Sequence, residues 1–123
     1  MRSPFALAKE LMAPDQGVME LVNVTVHAKA NLYFEGRVIS HTVITSSGEH
    51  KTVGVILPGE YHFATGKAER MEIAEGACEV LLDGGEAKSS YAAGHAFEVP
   101  ANSGFTITVA GEPCHYVCYF LNA

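Results

Sequence analysis

The sequence predicts an all-β protein, a sandwich or barrel of about nine or ten short strands. Apolar and polar residues alternate with a period of two along most of the chain, which is typical of half-buried strands. Turn residues recur at intervals of roughly 8–12 residues, the spacing of short antiparallel strands. The chain has 123 residues, enough for one domain with a single core.

The composition is that of a globular domain with an acidic surface. Apolar residues make up 48% and charged residues 18% of the chain, which places it away from disordered proteins. Eight Lys and Arg stand against fourteen Asp and Glu, a net charge of −6 that repels polyanions, so we expect no nucleic acid partner. No apolar run approaches the ~20 residues of a membrane helix, so we expect no membrane partner. Since the N-terminus lacks the apolar core of a signal peptide, we predict a cytoplasmic location.

The first 18 residues differ from the rest, and we predict that they form an extension of the domain. Apolar residues recur there at helical spacing until Pro14 and Gly17 interrupt the pattern. A short helix or a disordered arm fits this pattern, and Met19 is an alternative start of the chain. The predicted organisation is an extension over residues 1–18 and a β-domain over residues 19–123.

Strand patterns follow one another from Val18 to the end of the chain. Val22, Val24 and Val26 alternate with polar residues. Gly54 lies inside a predicted strand over residues 51–57, where a glycine marks a bulge or a close approach of the backbone. The segment Asp83–Gly85 predicts a hairpin turn. Further strands are predicted over residues 31–45, 77–82, 88–91, 96–99, 105–109 and 115–121.

The segment Pro58–Gly76 predicts a strand, a tight turn at Gly66 and a second strand, paired as a hairpin. Alternation places Tyr61, Phe63 and Thr65 on the face opposite to their polar neighbours. We expect this hairpin to be a barrel wall whose inner face carries the function.

The three cysteines are predicted to be reduced thiols in or near the core. The number of cysteines is odd, and no two of them form a CxxC pair: they are Cys78, Cys114 and Cys118. In a cytoplasmic protein such residues pack as small apolar side chains.

Glu69 is followed by six residues and then Gly76, and Gly94 is followed by five residues and then Pro100. These two spacings resemble the first and second motifs of the cupins. The resemblance implies an all-β, single-domain cupin fold, a double-stranded β-helix or jelly-roll barrel. The positions of three metal-ligating histidines hold other residues: Phe63, Thr65 and Phe105. Because a catalytic metal site needs about three protein ligands, we expect no metal.

A closer resemblance covers about residues 19–121. The blocks that carry it are Tyr33–Gly36, Gly54–Val55, Pro58–Thr65, Glu69–Ile73, Phe97–Phe105 and Tyr116–Cys118. In these blocks the chain is similar to the small single-domain cupins known as pyrimidine/purine nucleoside phosphorylases. The resemblance implies cleavage of purine and pyrimidine ribonucleosides by inorganic phosphate to a free base and ribose 1-phosphate, no metal or other cofactor, and a homodimer.

Two carboxylates are the candidate catalytic residues. A Glu69 carboxyl beside phenyl rings is desolvated, which raises its pKa and lets it donate a proton to a leaving base. The alternative is that Glu69 lies at the rim and pairs with Arg70, Lys67 or a backbone N–H. Glu60 is the second candidate, and its alternative is an outward, solvated position.

The candidate substrate-binding residues are aromatic or hydroxyl-bearing side chains, since aromatic rings stack on any base. Their alternatives are ordinary packing for the rings and turn capping for the hydroxyls. They are Tyr33, Tyr61, Phe63, Thr65, Met71, Asn102, Ser103 and Phe105. The phosphate-binding candidates are the basic residues Arg37, Lys51 and Arg70, and the alternative for each is an ordinary surface charge.

The leading hypothesis is a metal-independent nucleoside phosphorylase, an enzyme. An alternative of a different class is a non-catalytic cupin that binds a small metabolite such as a nucleoside or a sugar. A third hypothesis is a metal-dependent cupin that uses His62 and Glu69 as ligands.

Overall fold

A computed structural model describes residues 19–121, which contain eleven strands, one 3-10 turn at Phe34–Gly36 and no α-helix. The all-β prediction is confirmed, and the predicted extension over residues 1–18 lies outside the described residues. No helix in the described range is long and apolar enough to cross a membrane. The strands are β1 Thr25–Val26, β2 Asn31–Tyr33, β3 Val38–Ile44, β4 His50–Ile56, β5 Gly59–Ala64, β6 Ala68–Glu75, β7 Ala77–Leu82, β8 Ser89–Ala92, β9 Ala96–Val99, β10 Gly104–Val109 and β11 Cys114–Leu121.

The strands form two antiparallel sheets that share one core. The seven-stranded sheet has the order β1-β3-β4-β11-β6-β9, with β2 also paired to β3, and the four-stranded sheet has the order β5-β10-β7-β8. Both sheets contribute side chains to one hydrophobic cluster, for example Val38 and Ile73 from the first and Val80 and Ile107 from the second. All three cysteines are free thiols with buried side chains, as predicted.

The predicted hairpin at Pro58–Gly76 is wrong, although both of its strands exist. β5 pairs with β10 in the four-stranded sheet, whereas β6 pairs with β11 and β9 in the other. The link between them crosses from one sheet to the other, and Thr65 holds this corner. Its hydroxyl donates to the Pro100 carbonyl at 2.7 Å and accepts the Ser103 N–H at 2.9 Å. Alternation therefore identified the faces of the strands but not their partners.

The hairpin predicted around Asp83–Gly85 is confirmed, since β7 pairs with β8 on either side of it. Gly84 in the turn has a φ of 81°, a conformation that glycine adopts at no steric cost. The strand predicted from Val22 is confirmed only at Thr25–Val26, and the Val22 side chain is 76% exposed.

Gly54 shows the predicted close approach of backbones. It lies in β4 between Ser40 of β3 and Tyr116 of β11. A Cβ at this position would lie 2.5 Å from the Ile39 carbonyl oxygen and 2.8 Å from the Tyr116 hydroxyl oxygen. The missing side chain thus leaves room for the Tyr116 hydroxyl.

Candidate active site

A cavity of about 190 Å³ lies inside the barrel. The seven-stranded sheet forms most of its lining, and β5 and β10 close one side. The lining side chains are mostly apolar or neutral, with Glu69 as the one carboxylate among the described lining residues. They are Tyr33, Ser40, Thr52, Ile56, Phe63, Ala64, Glu69, Met71, Phe105, Tyr116, Cys118 and Phe120.

Five predicted site residues meet in this cavity: Tyr33, Phe63, Glu69, Met71 and Phe105. Phe63 and Phe105 stack with ring centroids 5.8 Å apart, and Tyr33 meets Phe63 edge-on at 5.8 Å. Phe63 of β5 and Phe105 of β10 form an apolar wall opposite the seven-stranded sheet, and Tyr33 of β2 adjoins this wall. Met71 and Phe105 are buried, and Tyr33 is 44% exposed.

Glu69 is placed in the cavity by β6, where it lies between Phe120 of β11 and Val99 of β9. Burial raises the pKa of the Glu69 carboxyl above its usual range, and a hydrogen bond from the Cys118 thiol opposes this rise. The Cys118 Sγ lies 3.5 Å from Glu69 Oε1. Arg70, which was the alternative partner of Glu69, instead lies 3.8 Å from Glu72 and 3.7 Å from Glu98. The carboxyl is therefore held in its neutral form up to a higher pH than an exposed glutamate.

The floor of the cavity carries polar side chains that sequence reasoning missed. Ser40, Thr52 and Tyr116 come from the adjacent strands β3, β4 and β11. Asn31 Nδ2 donates to Ser40 Oγ at 3.2 Å. Burial raises the pKa of Tyr116, and a hydrogen bond with Ser40 opposes this rise. The phenol of Tyr116 is thus neutral and able to donate a hydrogen bond.

Sequence and structure comparisons point to one family. The profile of the pyrimidine/purine nucleoside phosphorylases matches residues 28–120. A protein of that name from Thiobacillus denitrificans is 56% identical over 98 residues, which span 80% of this chain and 94% of the relative. The chain belongs to the pyrimidine/purine nucleoside phosphorylase family. Another family member, from Aromatoleum aromaticum, is 52% identical and matches 80% of this chain and 92% of its own.

Solved structures agree on the fold of this family member. A crystal structure of a protein of unknown function from Acinetobacter sp. ADP1 has a TM-score of 0.80 at 42% identity, covering 83% of this chain and 98% of the other. The cupin domain of Cnp3 from Schizosaccharomyces pombe has a TM-score of 0.56 at 13% identity, covering 76% and 69% of the two chains. The predictions of a cupin fold and of an enzyme from the nucleoside phosphorylase family are confirmed.

Four other predicted substrate-binding residues lie outside the cavity. The Tyr61 hydroxyl donates to the Leu57 carbonyl at 2.8 Å, and its ring is buried in the core. The hydroxyl of Thr65 and the backbone of Ser103 hold the corner described above. Asn102 is exposed in the same loop with a φ of 53°. The contacts of all four are those of packing and turn formation.

Glu60 and His62 lie on the outer face of β5. Glu60 is exposed and accepts a hydrogen bond from the Thr108 hydroxyl at 3.3 Å. His62 is exposed and lies 3.0 Å from Asp83, whereas Glu69 faces the cavity. The two ligands of the hypothetical metal site are therefore on different faces. Within residues 19–121 no group of three or more His, Cys, Asp or Glu side chains is placed to hold a metal ion, and independence of metal stays a prediction.

The three predicted phosphate-binding residues surround the barrel without lining its cavity. Arg37 donates to the Tyr61 hydroxyl at 3.2 Å and to the Pro58 carbonyl. Arg70 lies between acidic side chains. The Lys51 ammonium lies 4.4 Å from the centroid of the Tyr119 ring. Lys51 also lines a surface hollow together with Lys67 and Phe120, and Phe120 borders the cavity as well.

Proposed function

We propose that this chain transfers the ribosyl group of purine and pyrimidine ribonucleosides to inorganic phosphate, releasing the free base and ribose 1-phosphate without a metal ion. The family to which it belongs supports the reaction class. The observation that carries the proposal is Glu69, a carboxyl with a raised pKa in a cavity lined by aromatic and hydroxyl side chains.

Glu69 is the proposed general acid. As the bond between C1′ of the ribose and the base nitrogen breaks, the electron pair goes to that nitrogen, which takes the Glu69 proton. A phosphate oxygen then forms the new bond to C1′, and the proton that phosphate loses returns to Glu69. Burial raises the pKa of Glu69, so its carboxyl keeps the proton to a higher pH than an exposed glutamate does, which suits this role.

The same carboxyl stabilises the sugar between the two bonds. Once its proton has left, Glu69 is an anion beside a ribose with oxocarbenium character. Electrostatic attraction of this kind is stronger in a cavity from which water is excluded. The side chains that line the cavity around Glu69 are neutral and do not offset its negative charge by ion pairing, which supports the proposed role.

Phosphate is proposed to approach through the hollow of Lys51 and Lys67. Phe120 lines both this hollow and the cavity, so the two lysines lie close to the cavity lining. Arg37 and Arg70 are held by the hydrogen bonds and ion pairs described above. Of the predicted phosphate residues, we therefore retain Lys51.

The proposal includes a cytoplasmic location and a homodimer. Three free, buried cysteines suit a reducing compartment. The outer face of the seven-stranded sheet presents apolar side chains, among them Ile39, Val53 and Val55, along a groove of about 620 Å³. A second copy covering this face would remove them from water.

The experiment that tests the reaction is release of base with and without phosphate. Purified protein is incubated with uridine, adenosine, inosine and guanosine, each with and without inorganic phosphate, after treatment with a chelator. We expect base and ribose 1-phosphate only where phosphate is present, at rates that the chelator leaves unchanged. Thermal stabilisation by nucleosides without turnover on any of them would instead support the non-catalytic binding protein.

A further inference from the structure

Two of the three cysteines meet across the core, although they belong to different sheets. Cys78 lies on β7 of the four-stranded sheet, and Cys114 begins β11 of the seven-stranded sheet. Their side chains are 4% and 0% exposed and belong to the same hydrophobic cluster. A hydrogen bond joins the two thiols. We call these two residues the inter-sheet thiol pair.

The backbone on either side holds the inter-sheet thiol pair in place. Gly76 connects β6 to β7 just before Cys78, and Pro113 directly precedes Cys114. A Cβ at Gly76 would lie 2.5 Å from the Pro113 carbonyl oxygen and 3.2 Å from the Cys114 Cα. The two segments are therefore in direct contact at the point where both chains pass from one sheet to the other. This contact keeps the two sulfur atoms near each other.

Cys118, the third cysteine, has a different environment. It is the one cysteine among the described residues that line the cavity, and its thiol donates to Glu69 Oε1 at 3.5 Å. Burial raises the pKa of the Cys118 thiol, which keeps it protonated and poorly nucleophilic. Its hydrogen-bonding partner is thus a carboxyl rather than a thiol, and the chain carries its own control for the chemistry of the pair.

The hydrogen bond makes the two thiols of the pair chemically unequal. The Cys78 thiol donates to the Cys114 sulfur, which lowers the pKa of Cys114 against the effect of burial and raises the pKa of Cys78. Because the thiolate is the nucleophile in oxidation, Cys114 is the sulfur that reacts first. Its oxidised form then has a thiol as its neighbour, and a sulfenic acid next to a thiol condenses to a disulfide.

We infer that Cys78 and Cys114 are a site of reversible oxidation, at which a hydroperoxide converts the two thiols to a disulfide that joins the two sheets. Packing as small apolar side chains accounts for the burial of each thiol but not for their meeting across the core. The inference is independent of the proposed reaction, since neither residue of the pair belongs to the described lining of the cavity.

The oxidation takes place in two steps. The Cys114 sulfur attacks one oxygen of hydrogen peroxide, the O–O bond breaks, and the leaving hydroxide takes the thiol proton and becomes water. The Cys78 sulfur then attacks the sulfenic sulfur, the S–S bond forms, and the sulfenic oxygen leaves as water with the Cys78 proton. Two thiols and one peroxide thus give one disulfide and two water molecules. Hydrogen peroxide is a small molecule, so local opening of the barrel suffices to admit it.

The disulfide would stabilise the barrel under oxidising conditions. It closes a loop that contains β8, β9 and β10, and a closed loop of this length restricts the unfolded chain. We expect the unfolding temperature to rise by about 5–15 °C on oxidation. A reducing compartment returns the pair to thiols, so the change is reversible.

The test is mass spectrometry of the folded full chain after treatment with one equivalent of hydrogen peroxide. We expect the loss of two of the three thiols and of two hydrogen atoms in mass, in a product that still contains a single chain. A digest with trypsin and chymotrypsin separates the three cysteines, because cleavage after Tyr116 splits Cys114 from Cys118. It should yield one cross-linked pair of peptides, which contain Cys78 and Cys114 and which dithiothreitol separates.

Three alanine variants connect the chemistry to stability. Calorimetry compares the unfolding temperature of each variant with and without peroxide, so a lower stability of the variant itself does not affect the result. Cys78→Ala and Cys114→Ala should lose the rise caused by peroxide, and Cys118→Ala should keep it. The peptide map of the wild type decides the matter should a variant fail to fold. Thiols that do not react, a gain of oxygen without a cross-link, or a bridge to Cys118 would each overturn the inference.

Discussion

At the scale of single residues, the proposed chemistry depends on the positions of two glutamate carboxylates. Glu69 faces the cavity and Glu60 lies on the outer face of β5. Glu69→Gln removes the transferable proton, so we expect kcat to fall by about 10²–10⁴-fold, the usual contribution of a general acid. Glu60→Gln makes the same chemical change at an exposed site, so we expect wild-type kcat. Steady-state kinetics with saturating phosphate measures both, and full activity of Glu69→Gln would remove Glu69 from the acid role.

The pH dependence of the rate follows from the raised pKa of Glu69. The acid is active only when protonated, so kcat should fall as the pH rises through this pKa. The Cys118 thiol donates to Glu69 and lowers its pKa against the effect of burial. Cys118→Ala should therefore move the alkaline limb of the kcat profile to higher pH. A profile recorded from pH 5 to 9 tests this, and an unchanged limb would contradict the coupling.

The ionised Glu69 carboxylate also lowers the stability of the fold. Because the pKa of Glu69 is higher in the folded than in the unfolded chain, its ionised form disfavours folding. This penalty is absent below the unfolded pKa of about 4.3 and grows as the pH rises through the folded pKa. Glu69→Gln should therefore melt at or above the wild-type temperature at pH 8, and the difference should vanish at pH 4.

Residue by residue, the sequence predicted one wall of the cavity and missed its floor. Phe63, Phe105 and Glu69 were found because alternation and the cupin spacing both fix their face. Ser40 and Tyr116 lie on strands with the same alternation. They are polar positions among apolar ones, and only the pairing of β3, β4 and β11 around Gly54 brings them together. The pairing of Gly54 with Tyr116 joins residues more than 60 positions apart, which local patterns do not encode.

At the scale of secondary-structure elements, Thr65 stabilises the crossing from β5 to β6. Its buried hydroxyl satisfies the Pro100 carbonyl and the Ser103 N–H. Thr65→Val keeps the shape but leaves both groups without this partner, so we expect a loss of about 1–3 kcal/mol. Urea denaturation measures the change. Thr65→Ser, which keeps the hydroxyl, should lose much less, and equal losses in both variants would show that the methyl group matters instead.

Gly54 links an element to the site. In Gly54→Ala the new Cβ would meet the Ile39 carbonyl and the Tyr116 hydroxyl well inside contact distance. We expect a stability loss of about 1–3 kcal/mol, as for overpacked sites, together with a lower kcat/KM because Tyr116 must move. Gly66→Ala is the matched control, since nothing lies within 4 Å of its Cβ position. Thermal unfolding and kinetics are measured side by side, and equal behaviour of the two variants would contradict the proposed crowding.

The failed hairpin shows what strand patterns leave open. Two amphipathic strands joined by a short turn with a glycine satisfy the usual signals of a hairpin. Here the residues near the turn have other partners, because Thr65 bonds to the loop before β10 and Ala64 pairs with Gly104. In this fold the consecutive strands β5 and β6 lie in different sheets, so the corner between them resembles a hairpin in sequence.

At the scale of the whole molecule, the fold class was predictable because strand alternation, turn spacing and the cupin motifs agree with each other. The arrangement of the strands was not, since it depends on contacts between distant segments. In both sheets the alternating residues nonetheless point in turn towards the inner cavity and towards the outer face. The outer face of the seven-stranded sheet carries apolar side chains at Ile39, Val53 and Val55, with His41 and His115 in the same groove.

That outer face is where we expect the proposed homodimer to form. A lysine at Val55 would place a charge among apolar side chains that a second copy would cover, so Val55→Lys should shift the protein towards the monomer. Thr106→Lys, on the outer face of the other sheet, is the matched control and should keep the mass of the wild type. Sedimentation equilibrium at several protein concentrations measures the mass. A wild type that is monomeric throughout would refute the dimer, and a dimer unaffected by Val55→Lys would place the interface on another surface.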